Sequence, residues 1–161
     1  MTLGPFFPRE FAHGASDLTI VDGKRAPGEL IEVSGRITQL DGRPLDNVVV
    51  EIWQADSRGR YDAPDFSGWG RAATDAAGVY RFRTIRPGAA EGRQPHLNFL
   101  LLYSGLMRHL QTVMFFELGA DPVLDAVPTP RRELLVAQRE GAGYRFDIRL
   151  RGDQETPFFD D

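Results

Sequence analysis

Strict alternation of apolar and polar residues limits the fold of this chain more than any other feature. In YRFDIRLRG (144–152) aromatic and aliphatic residues alternate with charged ones, and LIEVSGRITQ (30–39) has a similar pattern. A two-residue period puts successive side chains on opposite faces of a β-strand, so both segments are predicted to be half-buried strands. The other predicted strands are VVVEIWQAD (48–56), VYRFRTI (79–85), HLNFLLLYS (96–104) and HLQTVMFFE (109–117). We expect the last two to form an antiparallel pair buried on both faces.

A single segment carries the signals of a helix. Thr129 suits the N-cap, Pro130 suits the first helical position, and RRELLVAQRE continues to a stop at Gly141. Short strands separated by turn residues, with one such helix, favour an all-β sandwich over an alternating α/β fold. We expect one domain over residues 1–161, with an N-terminal arm (1–29), a β-sandwich (30–152) and a C-terminal tail (153–161).

The strand pattern also predicts the core. The residues expected to be largely buried are Ile31, Val33, Ile37, Val50, Ile52, Phe82, Phe99, Leu101, Phe115, Phe146 and Ile148. Trp53 and Trp69 fit either a core or an interface, because an obligate interface resembles a core cut in half. Phenylalanines outside the periodic strands indicate that the two ends of the chain pack against a partner chain. These residues are Phe6, Phe7, Phe158 and Phe159.

Composition excludes several classes of protein. The chain has no cysteine, so disulfides, thiolate metal sites and thiol nucleophiles are excluded. Its net charge is −4, with basic and acidic residues interspersed, which provides no basic surface for nucleic acid. The N-terminus lacks a basic leader with an apolar core, and the apolar run at 99–102 is too short to span a bilayer. We therefore expect a soluble, cytoplasmic protein.

Most catalytic patterns are missing from the sequence. None of the serines lies in a nucleophile-elbow context, and neither a G-x-x-x-x-G-K loop nor a strand-linked G-x-G-x-x-G occurs. The acidic residues Asp62 and Asp65 fit a solvated loop better than an acid–base pair. Serine-triad and nucleotide chemistry are therefore not expected.

The remaining candidate is the segment P-H-L-N, which contains His96 and Asn98. Residues i and i+2 of a strand share a face, so two histidines at this spacing could bind one metal ion. Here Asn98 takes the second position, and its neutral amide oxygen is a weak ligand for a transition metal. Spacing alone leaves open whether His96 is a structural histidine or part of a metal site.

Four segments, taken in order, resemble the intradiol ring-cleaving dioxygenases. They are VVVEIWQADSRGRYDAP, GWGRAATDAAGVYRFRTIRPG, RQPHLNF and AGYRFDIRLRG. Each segment is modest alone, but the ordered set is specific, and the resemblance runs from Gly4 to the C-terminus. It implies a β-sandwich and a non-haem Fe(III), bound by two tyrosine phenolates and two histidines, that opens catecholic substrates with O2.

The resemblance places the first tyrosine ligand on Tyr61 and the first histidine ligand on His96. The second tyrosine is expected within AAEGRQP (89–95) and the second histidine at Asn98, and neither residue type is present there. P-H-x-N thus resembles a metal site that has lost a ligand, so we expect no intrinsic iron in this chain. In two-chain members of the family the β chain keeps all four ligands. The resemblance therefore implies an α-type subunit, inactive alone, that pairs with an iron-bearing homologous β subunit in a higher oligomer.

The resemblance also implies residues that line the partner's substrate pocket. The α chains of the family extend a T-x-G-P segment into that pocket, and here its defined positions are Thr2, Gly4 and Pro5. Glycine allows a close approach to a ligand, and proline fixes φ. The α chains commonly place an arginine for a substrate carboxylate where this chain has Ser104, and Arg108 is four residues further on. We expect weaker affinity for a carboxylated catechol as a result.

Two alternatives remain open at this stage. One is a stand-alone β-sandwich binding or interaction module that keeps the fold without the chemistry and uses its aromatic tails for recognition. The other is a self-sufficient dioxygenase in which waters, or a carboxylate such as Asp62 or Asp65, complete a Tyr61/His96 site.

Overall fold

Two β-sheets pack face to face, and their facing side chains form the main core. The computed structural model describes residues 15–90, 92–103 and 109–159. Among these residues the first sheet has five strands and the second has four. A small hairpin of two strands precedes them. Among the described residues, every helix is too short to cross a bilayer.

The elements follow one another in the chain as β1 (Ile20–Val21), β2 (Lys24–Arg25), β3 (Leu30–Thr38), β4 (Val49–Trp53), β5 (Trp69–Ala73), β6 (Val79–Ile85), β7 (His96–Leu102), β8 (Leu110–Phe115), α1 (Pro122–Asp125), a 3-10 helix (Thr129–Leu135), β9 (Gln138–Glu140), β10 (Gly143–Arg145) and β11 (Ile148–Arg149). In the first sheet β3 pairs with β6, β10 and β11, and β10 also pairs with β9; the second sheet has the order β5-β4-β7-β8. Strands thus dominate, which confirms the predicted all-β fold.

Aromatic side chains join the two sheets. The ring of Phe99, from β7, lies 5.7 Å from that of Tyr80 on β6 and 5.3 Å from that of Phe146. Gln54 adds a buried polar link, because its side-chain amide donates to the carbonyl oxygen of Ile85 (2.9 Å) and its oxygen accepts from the Thr84 hydroxyl (2.6 Å). Every predicted core residue is buried, which confirms that prediction.

The predicted helix at Thr129–Gly141 is wrong in kind and in length. It is a 3-10 helix that ends at Leu135, and Pro128 rather than Thr129 is its N-cap. Val136 is extended, and the backbone N–H of Ala137 donates to the carbonyl oxygen of Phe115. Residues 136–137 therefore pair with the edge of the second sheet instead of adding a helical turn, and the chain continues into β9.

Five of the described elements were not predicted, namely β1, β2, β5, β9 and α1. Helix α1 begins after Asp121, whose side chain accepts from the backbone N–H groups of Val123 and Leu124. Strand β5 lies in GWGRAA, where glycine obscures the alternation. A Cβ at Gly70 would lie 2.4 Å from Leu18 Cδ1 and 3.0 Å from the carbonyl oxygen of Ala15, so glycine allows this segment to approach β5 closely.

Several strand predictions need correction in detail. The segment 144–152, predicted as one strand, contributes to two short strands, β10 and β11, which are both parallel to β3. The ladder is interrupted between them because the backbone N–H of Arg36 donates to the Asp147 carboxylate. The β7–β8 pair is antiparallel as predicted, but β7 buries alternate residues fully and leaves the others half-exposed.

The C-terminal phenylalanines pack on their own chain. Phe158 lies against the main core, and Phe159 lies against a second cluster on the outer side of β8. The buried residues of that cluster are Phe115, Leu124, Val127 and Leu135. These two residues therefore pack at least partly within the chain, whereas Phe6 and Phe7 lie outside the described residues.

Candidate functional site

Tyr61, His96 and Asn98 come together at one end of the second sheet. His96 begins β7, and Asn98 follows two residues later on the same face, turned away from the core. Tyr61, from the loop after β4, places its hydroxyl oxygen 3.2 Å from His96 Nε2 and 3.5 Å from Asn98 Nδ2. The three positions that the sequence aligned with metal ligands are thus neighbours in space.

Hydrogen bonding fixes the state of His96. Its Nδ1 lies 2.7 Å from the carbonyl oxygen of Gln94, and because a carbonyl only accepts, Nδ1 carries the proton. Nε2 is then the acceptor for the Tyr61 hydroxyl. The ring is buried, with 3% of the residue exposed, and this burial lowers the pKa of His96 below its usual value. The cluster is therefore a neutral imidazole and a phenol joined by a hydrogen bond.

Asp121 holds the segment that leads into His96. Its buried carboxylate accepts from Arg93 Nε (2.9 Å), from the backbone N–H of Gln94 (2.9 Å) and from that of Val123 (2.8 Å). Burial alone would raise the pKa of Asp121, but the bonds from Arg93 and the two backbone groups outweigh it and lower that pKa. Sequence reasoning missed this residue, although Asp-Pro before an apolar pair is a recognisable N-cap signal.

Asp56 plays the equivalent part for Tyr61. Its carboxylate accepts from the backbone N–H groups of Arg58 and Arg60 and from two guanidinium nitrogens of Arg60, at 2.8 to 3.0 Å. These bonds close a turn through Gly59, whose φ is +81° and whose Cβ position lies 2.2 Å from the carbonyl oxygen of Ala89. The turn places the Tyr61 side chain beside His96. The sequence ADSRGRY predicts a turn, but it does not show that the turn packs against Ala89, which is distant in the chain.

The donor set does not fit ferric iron. Asn98 directs its N–H group at the backbone carbonyl oxygen of Trp53 (3.2 Å), so only one phenol and one imidazole remain as ligands. Where the resemblance predicts a second tyrosine, Ala89 packs against Gly59 instead. Within residues 15–90, 92–103 and 109–159, no group of three or more histidine, aspartate or glutamate side chains could hold a metal ion. Fe(III) prefers several anionic ligands, which these residues do not supply.

The structure says nothing of the residues that the resemblance assigns to the partner's pocket. Thr2, Gly4, Pro5, Ser104 and Arg108 lie outside the described residues. Asp62 and Asp65 are exposed in the loop that follows Tyr61, which fits the expectation of solvated acids.

The chain belongs to the dioxygenase family, whose sequence model matches residues 2–152. It is 32% identical to the protocatechuate 3,4-dioxygenase alpha chain of Burkholderia cepacia over 99% of this chain and 94% of that one. It is also 40% identical to the beta chain of the same enzyme and organism, over 81% of this chain and 68% of that one.

A solved structure agrees with these sequence relationships. The dioxygenase domain of a dioxygenase carbohydrate-binding protein fusion from Streptomyces sp. SirexAA-E matches with a TM-score of 0.67 and 29% identity. The match covers 85% of this chain and 87% of that domain. The resemblance to intradiol ring-cleaving dioxygenases is therefore confirmed for both sequence and fold.

Proposed function

We propose that this chain is the non-iron-binding, alpha-type subunit of a protocatechuate 3,4-dioxygenase. It pairs with a homologous beta-type chain that binds Fe(III), and the pairs assemble into a higher oligomer. In the beta-type chain, protocatechuate or a related 4-substituted catechol is cleaved with O2 to 3-carboxy-cis,cis-muconate. Thr2, Gly4, Pro5, Ser104 and Arg108 contribute to the wall of that pocket.

The observation that supports this proposal is the closed hydrogen-bonded cluster of Tyr61, His96 and Asn98. Its polar atoms are directed at one another and at backbone groups, with the Tyr61 hydroxyl 3.2 Å from His96 Nε2. A ferric site needs at least one further anionic ligand to balance its charge. Similarity to an alpha chain over 99% of this chain supports the assignment of subunit type.

The test is the metal content of the chain purified alone and purified with a beta-type chain. We expect no iron and no colour in the lone chain, and one iron per pair with the burgundy tyrosinate-to-Fe(III) absorption in the complex. A lone chain that contains stoichiometric iron and opens catechols would overturn the proposal in favour of a self-sufficient dioxygenase.

Substitution of His96 separates the two possible locations of the iron. Because the iron belongs to the partner in this proposal, His96→Ala in this chain should leave the iron content of the complex unchanged. The matched control removes the first P-H-x-H histidine of the beta-type chain and should abolish colour. Loss of iron with His96→Ala, while the complex remains assembled, would assign a metal-binding role to this chain.

A further inference from the structure

The outer surface of the first sheet carries polar and charged residues in two rows that run across four strands. The strand registers align one row as Arg83, Glu32, Gly143 and Glu140. The next row along the strands consists of Arg81, Ser34, Arg145 and Gln138. Intervening residues such as Val33 and Phe82 are buried in the core, so the two rows point away from it. We call these eight residues the charged face.

Charge is distributed unevenly between the two sides of the charged face. In these rows β6 contributes two arginines, whereas β9, on the opposite side, contributes Glu140 and a neutral glutamine. The end residues of the first row have only long ion pairs within the chain. Arg83 Nη1 lies 4.0 Å from Asp17, and Glu140 Oε1 lies 3.9 Å from Arg145 Nη1. The side chains of Arg83 and Glu140 are each 59% exposed, so both are available to a group from another molecule.

A hollow lies in the middle of the charged face, above Gly143. Its volume is about 440 Å³, and residues of both rows line it. A Cβ at Gly143 would lie 2.9 Å from the carbonyl oxygen of Glu32, so a larger residue would push β10 away from β3. The close pairing of these two strands therefore requires the glycine and keeps the hollow open. The Glu32 side chain projects beside it from the neighbouring strand.

We propose that the charged face binds the charged face of a second copy of this chain. The inference rests on the proposed function, because a higher oligomer of alpha–beta pairs needs a contact in addition to the one within each pair. Two copies of one surface meet about a two-fold axis, so every contact between them occurs twice. The contact joins two pairs through their alpha-type chains.

The order of the strands makes the charged face complementary to itself. A two-fold axis that runs along the strands between β3 and β10 places β6 of one copy opposite β9 of the other. Arg83 then faces Glu140 of the second copy, and Glu32 faces the hollow above Gly143 of the second copy. In the second row an arginine faces an amide, and a hydroxyl faces an arginine. Neither row opposes two like charges, which is the condition for electrostatic complementarity.

The size of the charged face indicates a weak contact. Four strands spaced by about 4.8 Å, over about 15 Å of their length, cover roughly 300 Å² in projection. A stable interface takes about 800 Å² from each partner. Each hollow is larger than one glutamate side chain, so the contact also retains water, as polar interfaces commonly do. A contact of this kind holds pairs together when several act at once in a closed oligomer.

Charge reversal tests the contact in the complex with the beta-type chain. Light scattering after size-exclusion chromatography measures the mass of the complex, and the iron colour reports pairing with the beta-type chain. We expect Arg83→Glu and Glu140→Arg each to raise the dissociation constant between pairs by at least about tenfold. Arg151→Glu is the matched control, because this exposed arginine follows β11 outside the charged face, and it should leave the mass unchanged. Thermal melts show whether each variant is folded.

Combination of the two reversals gives the most specific measurement. The double variant Arg83→Glu/Glu140→Arg has the same opposite charges in exchanged positions, so it should regain the wild-type mass. An equal mixture of the two single variants should also associate, because each chain supplies the charge that the other one lacks. Single variants with the mass of the wild type, or a double variant as weak as the single ones, would overturn the inference.

The outcomes separate this inference from the proposed function. A coloured higher oligomer that is insensitive to both reversals contradicts the inference and leaves the proposed function intact. A coloured complex that remains a single pair contradicts both the self-contact and the higher oligomer. If no coloured complex forms, the proposed function fails, and sedimentation equilibrium of the lone chains should show the same loss and recovery of association. Lone chains that are all monomeric would then overturn the inference as well.

Discussion

The Tyr61 hydroxyl oxygen lies 3.2 Å from Nε2 of His96. The two atoms that the family resemblance predicts as iron ligands therefore form a hydrogen bond with each other. Asn98 completes the cluster with its amide nitrogen 3.5 Å from the same hydroxyl. The position that the resemblance assigns to a second imidazole is therefore occupied by a hydrogen-bond donor. This arrangement gives the first prediction.

Asn98→His should create a divalent metal site. Residues 96 and 98 share one face of β7, so the new imidazole would join His96 and Tyr61 around one position. We expect the affinity for Co(II) or Ni(II) to rise by roughly tenfold or more, since imidazole is a far better ligand than an amide. Calorimetric titration and the visible spectrum of bound Co(II) would measure it. Asn98→Ala is the control, and equal metal binding by both variants would contradict the prediction.

The hydrogen bonds of the Gln54 side chain should contribute to the free energy of unfolding, because they join the two sheets. Gln54→Leu leaves the carbonyl oxygen of Ile85 and the hydroxyl of Thr84 without their partner, and all of these groups are buried. We expect a loss of about 1–3 kcal/mol in the free energy of unfolding, measured in urea. Thr84→Val should cost less, because it removes one bond. The double variant should cost less than the sum of the two, and strict additivity would mean that the two residues do not interact.

Gly59→Ala should be more damaging than the same change at Gly42. Both glycines have positive φ, +81° and +78°, but a Cβ at Gly59 would lie 2.2 Å from a backbone oxygen, whereas at Gly42 nothing lies within 4 Å. Gly42→Ala should cost about 1 kcal/mol, and Gly59→Ala at least about 2 kcal/mol more, since the backbone must move. Urea denaturation of both variants measures the difference. Equal costs would mean that residues 59 and 89 are further apart than described.

Asp121 should make stability depend on pH in the acid range. Its pKa is lowered in the folded chain from the usual 3.8, so its contribution is fully present above that value and is lost as the pH falls through the lower folded pKa. Asp121→Asn should cost about 1–3 kcal/mol at pH 7. The variant should also lose less stability than the wild type between about pH 5 and pH 2. Parallel stability curves for the two proteins over that range would contradict the assignment.

Sequence patterns predicted the secondary structure correctly where it depends on residues that are close together in the chain. Alternation predicted β3 and β6 and buried residues such as Val33 and Ile148, because a strand with one face on the core must send alternate side chains inward. It failed for β5, where the glycine at position 70 hides the period. The helix signals failed in a different way after Thr129, where pairing of the chain with β8 ends the helix early.

The sequence predicted the residues of the candidate site, but it did not predict the residues that hold them in place. Spacing placed His96 and Asn98 on one face, and only the family resemblance joined Tyr61 to them. Asp56 and Asp121 hold this arrangement through bonds to backbone groups, and Asp121 reaches 27 residues back along the chain to Gln94. Asp121 carries a local N-cap signal and Asp56 a local turn signal, but their bonds to distant parts of the chain leave no pattern in the sequence.

The parallel pairing of β10 and β11 with β3 has a consequence for synthesis on the ribosome. Arg36 on β3 bonds to Asp147, 111 residues later. β3 leaves the exit tunnel early, yet one of its edges has no partner until residues 143–149 have left it as well. Long-range pairings of this kind close slowly, and an open strand edge can pair with other chains. During translation, β3 is therefore the part of the nascent chain most in need of protection from its neighbours.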